Sequence, residues 1–91
     1  MSNKELFQKF IEWQSKELEL FKAKYDVYGS GYWDDETTFN ERYLGGLNRK
    51  DARLKNYIRT GKGLETESLQ DCLIDIGIYA KMELIKQDLK K

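Results

Sequence analysis

The stretch Glu67-Ser68-Leu69-Gln70-Asp71-Cys72-Leu73-Ile74-Asp75-Ile76-Gly77-Ile78-Tyr79-Ala80-Lys81-Met82 decides how this chain folds. Leu69, Cys72, Leu73, Ile76 and Ala80 recur every three or four residues, which puts them on one face of a helix, whereas a strand would alternate every second residue. Ile74, Ile78, Met82 and Ile85 make a second apolar arc. Thr66 stands at the N-cap position, acids fill the first turns, and Lys86, Lys90 and Lys91 close the segment, as the helix dipole favours. The reading is a helix over about 66–89.

The same stretch carries the chemistry. Glu67, Asp71 and Asp75 are spaced i, i+4, i+8, which stacks three carboxylates along one flank. At about 100° per residue, Asp75 projects between Met82 on one side and Tyr79 and Cys72 on the other, inside an apolar arc. A charge there is costly unless it is met. Either a basic residue of another helix, such as Arg53, or a divalent cation shared by the acids would meet it. Stacked carboxylates suit magnesium, which takes oxygen ligands and keeps waters for a bound phosphate. For Glu67 alone, the dipole of the first helical turn is sufficient explanation.

Upstream, Thr38 and Glu41 have capping-box spacing, and Phe39, Tyr43, Leu44, Leu47, Leu54, Tyr57 and Ile58 follow at helical intervals toward Gly61 and Gly63. A second helix is expected over 38–60. Gly45 and Gly46 each weaken it by roughly 1 kcal/mol relative to alanine, so a break or a close backbone approach is expected at that point. Lys50, Arg53 and Arg59 make its later half basic, which is equally what a solvated charged face with partners such as Asp51 would look like.

Between 26 and 37 lies a loop rich in aromatics: Tyr28, Tyr32 and Trp33 are punctuated by Gly29 and Gly31 and followed by Asp34, Asp35 and Glu36. Its rings either cover a thin core edge or close over a flat ligand, since aromatic faces are good platforms for a base. Ser2 with Glu5 opens a first helix over about 3–25, with Phe7, Phe10, Leu18, Phe21 and Tyr25 at helical intervals and Gln14 in the middle of the stripe. Leu6, Ile11 and Trp13 widen that arc enough to imply contact on two sides.

Composition bounds the rest. With 91 residues, one core is the ceiling, and 40% hydrophobic residues are enough to form it. The 16 basic residues equal the 16 acidic ones, so the excess that a polymer nucleic acid demands is missing. Asp71, Asp75, Lys81 and Glu83 make the most apolar stretch, 69–85, too charged to span a bilayer. Cys72 has no second cysteine to pair with and no signal-peptide pattern follows Met1, so the cytoplasm is the expected compartment. The chain has no histidine, so any catalysis would rest on carboxylates with a hard metal; it has no proline, which favours long helices.

The run from Glu67 to Met82 resembles the signature helix of a phage family, nucleotide-modification-associated domain 1, in which Glu-Ser, two spaced Asp and a terminal Tyr-Ala recur. The stretch from Leu47 to Lys55 is similar to that family's basic helix, and Lys24 with Tyr28-Gly29 resembles its Lys-then-Tyr-Gly segment. The family is grouped with the all-α MazG-like pyrophosphohydrolases, whose acidic helix residues hold magnesium while water cleaves a nucleoside triphosphate. The resemblance implies Glu67, Asp71 and Asp75 on the metal side, and Lys24, Lys50 and Arg53 facing phosphates; from the aromatic loop, Tyr28 and Trp33 are the expected ligand-binding rings. Well-characterised MazG-like enzymes add a Glu-x-x-Glu motif on an earlier helix, and Glu12, Glu17 and Glu19 do not have that spacing. Where the family has Asp-Leu-Ala-Asn-Tyr-Ala, this chain has Asp75-Ile76-Gly77-Ile78-Tyr79-Ala80.

The expectation is therefore a single all-α domain over 1–91, a three-helix MazG-like bundle completed by homo-oligomerisation. Its expected function is to bind or sequester a nucleotide or nucleotide-derived signal in the host cytoplasm, as a phage protein acting against host antiviral defence. A magnesium-dependent nucleoside triphosphate pyrophosphohydrolase and a helical protein–protein adaptor are the alternatives.

Overall fold

Ser2 and Thr38 open their helices through the same device: each side-chain oxygen accepts the backbone N–H three residues on, Ser2 from Glu5 at 3.2 Å and Thr38 from Glu41 at 3.1 Å. In this computed structural model, which describes residues 1–25, 31–34, 36–64 and 68–89, four helices follow: α1 Asn3–Ala23, α2 Phe39–Gly45, α3 Leu47–Thr60 and α4 Leu69–Leu89. Among the described residues there is no strand, and no described helix is long and apolar enough to cross a membrane.

Three boundaries differ from the sequence reading. The helix expected over 38–60 is divided at Gly46, which is buried with its backbone against Tyr79; a Cβ there would come within 2.6 Å of the Tyr79 ring. The double glycine thus marks both a break and a close approach. The last helix starts at Leu69, with the Ser68 hydroxyl accepting the Asp71 N–H at 3.0 Å, while Thr66 lies outside the described residues. α1 stops at Ala23, two residues earlier than expected, with Lys24 as its C-cap. α3 ends where expected, because Gly61 takes the left-handed conformation at φ 71° and returns its N–H to Tyr57.

α4 is the centre of the fold. Its buried residues, Cys72, Asp75, Ile78, Tyr79, Met82, Glu83 and Lys86, are mostly clustered on one arc. α3 packs along that arc, and α1 lies against the other side of α4. Phe10 and Trp13 lie beside Leu73 and Ile74, while Leu18 and Phe21 lie beside Met82 and Ile85, so α1 and α4 run in the same direction. Ile78, Tyr79 and Met82 form the core, with Leu20, Phe21, Tyr32, Trp33, Leu47 and Ile74 packed on it. Of the two arcs expected on this helix, the one holding Ile78 and Met82 is central, whereas Leu69 and Leu73 face outward. None of α1's residues is fully buried.

Candidate functional site

The seam between α3 and α4 places charge where an apolar core would otherwise lie. Asp75, one turn from Cys72 and Tyr79, is buried, and its carboxylate meets the Lys50 ammonium at 2.9 Å with both side chains under a tenth exposed. A basic partner of the kind that the sequence asked for therefore comes from α3, as expected: Lys50, one turn before Arg53. The Lys50 carbonyl also accepts from the Cys72 thiol at 3.6 Å. Beside this pair, Arg49 donates to the Tyr79 hydroxyl at 3.3 Å. Arg49 and Arg53 are four residues apart, which sets both guanidiniums on one flank of α3. Arg53 is half-buried and Arg49 exposed.

The other assigned positions are scattered relative to this seam. Asp71 is exposed in the first turn of α4. Lys24 is exposed at the end of α1. Trp33 lies half-buried on the core, its ring edge-on to Tyr32 at 5.4 Å, with its indole nitrogen buried and unpartnered. Tyr28 and Glu67 lie outside the described residues. Of the acids assigned to magnesium, Asp75 already has its charge met by an ammonium, and no group of three acids or thiols among the described residues is arranged to hold an ion.

A second buried charge cluster holds the segment before α2 onto α4. Arg42 donates to both oxygens of Glu83, at 2.8 and 3.0 Å, and Tyr32 donates to the same carboxylate at 2.7 Å. The Arg42 guanidinium is the main cause of the Glu83 carboxyl being held down to about 2. Burial, together with the Glu83 charge, pushes the Tyr32 phenol above its usual range. Arg42 also donates to the Thr37 carbonyl at 2.7 Å. Lys86, buried, donates to the carbonyls of Trp33 and Asp34 at 3.0 Å each. Tyr32 and Trp33 thus cover the core edge.

Sequence reasoning missed Arg42, Arg49, Glu83 and Lys86. A signal for the last two exists: positions 72, 75, 79, 82, 83 and 86 fall within one arc of about 100° on the helical wheel, so an Asp75 read as inward implies the same for Glu83 and Lys86. Reading Lys86 as a solvated dipole partner hid this. Against known proteins, no family model, no curated protein and no solved structure matches the chain.

Proposed function

We propose that the chain is a MazG-like helical protein that binds a nucleotide or nucleotide-derived signal at the α3–α4 seam and holds it without hydrolysing it. The observation that carries this reading is the seam itself: the buried Lys50–Asp75 pair lies beside the guanidiniums of Arg49 and Arg53, which share one flank of α3. Guanidiniums match phosphate oxygens in a planar, two-pronged way that an ammonium cannot. Holding is favoured over cleavage because Asp75, the acid best placed by burial, is engaged with Lys50. Sequestration of a host signal by a phage protein, in the cytoplasm, is the biological setting that the resemblance suggests.

The test is calorimetry and thermal melting with mixed nucleoside mono-, di- and triphosphates and cyclic dinucleotides, each with and without magnesium, alongside mass spectrometry of small molecules that copurify. Arg53→Ala should weaken the binding of the best ligand by about 1.5 to 3 kcal/mol, the range for a hydrogen bond to a charged group, and Arg53→Lys should recover only part. Unchanged affinity in the alanine variant would remove Arg53 from the site. Magnesium-dependent pyrophosphate release would replace holding by hydrolysis. If no nucleotide shifts the melt, the reading fails and the helical adaptor takes its place.

A further inference from the structure

Along α1 and just past its end, Phe7, Ile11, Gln14, Leu18, Phe21 and Tyr25 are spaced alternately by four and three residues, the spacing of a seam between paired helices. α4 covers only one edge of that seam. Phe7 is 63% exposed, Ile11 53%, Leu18 52% and Tyr25 50%, and Ile85 of α4 continues the same surface at 45%. A groove of about 290 Å³, lined in part by Gln14, Leu18, Phe21, Met82 and Ile85, runs beside it.

The molecule's dimensions say how much surface is left over. A folded monomer of 10.8 kDa is expected to expose about 5,500 Å². This chain exposes 6883 Å². The excess, on the order of 1,300 Å², exceeds the roughly 800 Å² that each partner contributes to a standard stable interface. The radius of gyration, 14.9 Å, likewise exceeds the about 12 Å expected for a chain of this length.

We infer that a second copy of this chain covers the α1 seam, with the two α1 helices antiparallel about a two-fold axis at Gln14. Charge does not oppose that occupant. The chain carries 16 basic and 16 acidic residues, so two copies meet without net repulsion. α1 itself balances Lys4, Lys9, Lys16 and Lys22 against Glu5, Glu12, Glu17 and Glu19, with both signs in each half, and presents no one-sided stripe that would select an oppositely charged partner. The register follows from the polar residue in the seam. Gln14 is midway between Phe7 and Phe21, and within half a residue of midway between Ile11 and Leu18, so antiparallel pairing sets Phe7 against the partner's Phe21 and Ile11 against the partner's Leu18. At the axis the two Gln14 amides meet. An amide both donates and accepts, so it satisfies its own copy, and a single polar residue in an apolar seam fixes register.

The inference does not depend on nucleotide binding and is tested without a nucleotide. Sedimentation equilibrium of the full chain at micromolar concentration should give twice 10.8 kDa. Ile11→Asp should weaken the dimer at least 100-fold, and Glu12→Arg, on the opposite face, should leave it unchanged. Because Ile11→Asp could unfold the chain, cross-linking gives an independent reading, and the native Cys72 is buried and out of the way. Under mild oxidation Gln14→Cys should form a disulfide-linked dimer, whereas Ser15→Cys should not. Phe7→Cys should not cross-link to itself either, since two copies seven residues off the axis lie about 21 Å apart. A monomeric wild type at 100 µM, a dimer indifferent to Ile11→Asp, or self-cross-linking of Phe7→Cys as efficient as that of Gln14→Cys would overturn the proposal.

Discussion

Asp75 carries its charge on a face shared with Cys72, Tyr79 and Met82, and Lys50 is what makes that placement tolerable. Asp75→Asn keeps the shape and removes the charge, so the buried ammonium loses the counter-charge that Asp75 supplies. The expected loss is about 3 to 5 kcal/mol in urea unfolding of the free protein, the usual cost of breaking a buried pair from one side. Replacing both partners by apolar residues of similar volume, Lys50→Met with Asp75→Leu, should recover most of that loss. A ligand-site acid repelled by Asp71 would behave oppositely: the single variant would hold or gain stability while nucleotide affinity fell. That Asp75 lies inward was legible from its place on the helical wheel. Which cation meets it was not, because the choice between Lys50 and Arg53 depends on how α3 is rotated against α4.

Among the elements, the joint between α2 and α3 separates two glycines that look alike in the sequence. A Cβ on Gly45 would meet nothing within 4 Å, whereas one on Gly46 would run into the Tyr79 ring. Gly45→Ala should therefore stabilise by about 0.4 to 1 kcal/mol, through the reduced freedom of the unfolded chain and better helix propensity. Gly46→Ala should destabilise by about 1 to 3 kcal/mol, the range for overpacking. Equilibrium urea denaturation of the two variants checks both signs at once; equal effects would mean that α2 and α3 tolerate a continuous helix. Capping was readable from local spacing, as Ser2 and Thr38 bear out. The reason for the glycines was not, since Tyr79 is more than 30 residues away.

Across the whole molecule, buried polar groups do much of the work of a core. Cys72, Ile78, Tyr79 and Met82 are the buried apolar residues described, beside buried Arg42, Lys50, Asp75, Glu83 and Lys86. Such a fold should be sensitive to acid. Glu83 has its carboxyl lowered from 4.5 to about 2, so its contribution is fully present above about pH 4.5 and is lost as the pH falls toward 2. The urea midpoint should fall across that window, and Glu83→Gln should lower it at pH 7 while flattening its acid dependence. An unchanged acid slope in the variant would place the sensitivity elsewhere.

The sequence by itself determined that the chain is helical, where α3 ends, how α1 and α2 are capped, and that Asp75 faces inward, because these rest on three- and four-residue periodicity and on contacts a few residues long. Tertiary structure alone decided that Lys50 pairs with Asp75, that Tyr79 excludes a Cβ at Gly46, and that Arg42, Tyr32 and Lys86 hold the segment before α2 onto α4. Those contacts join residues from 25 to 53 positions apart, and local pattern carries no record of them: the rotation of one helix against another, which a sequence period leaves free, sets which side chain is the partner.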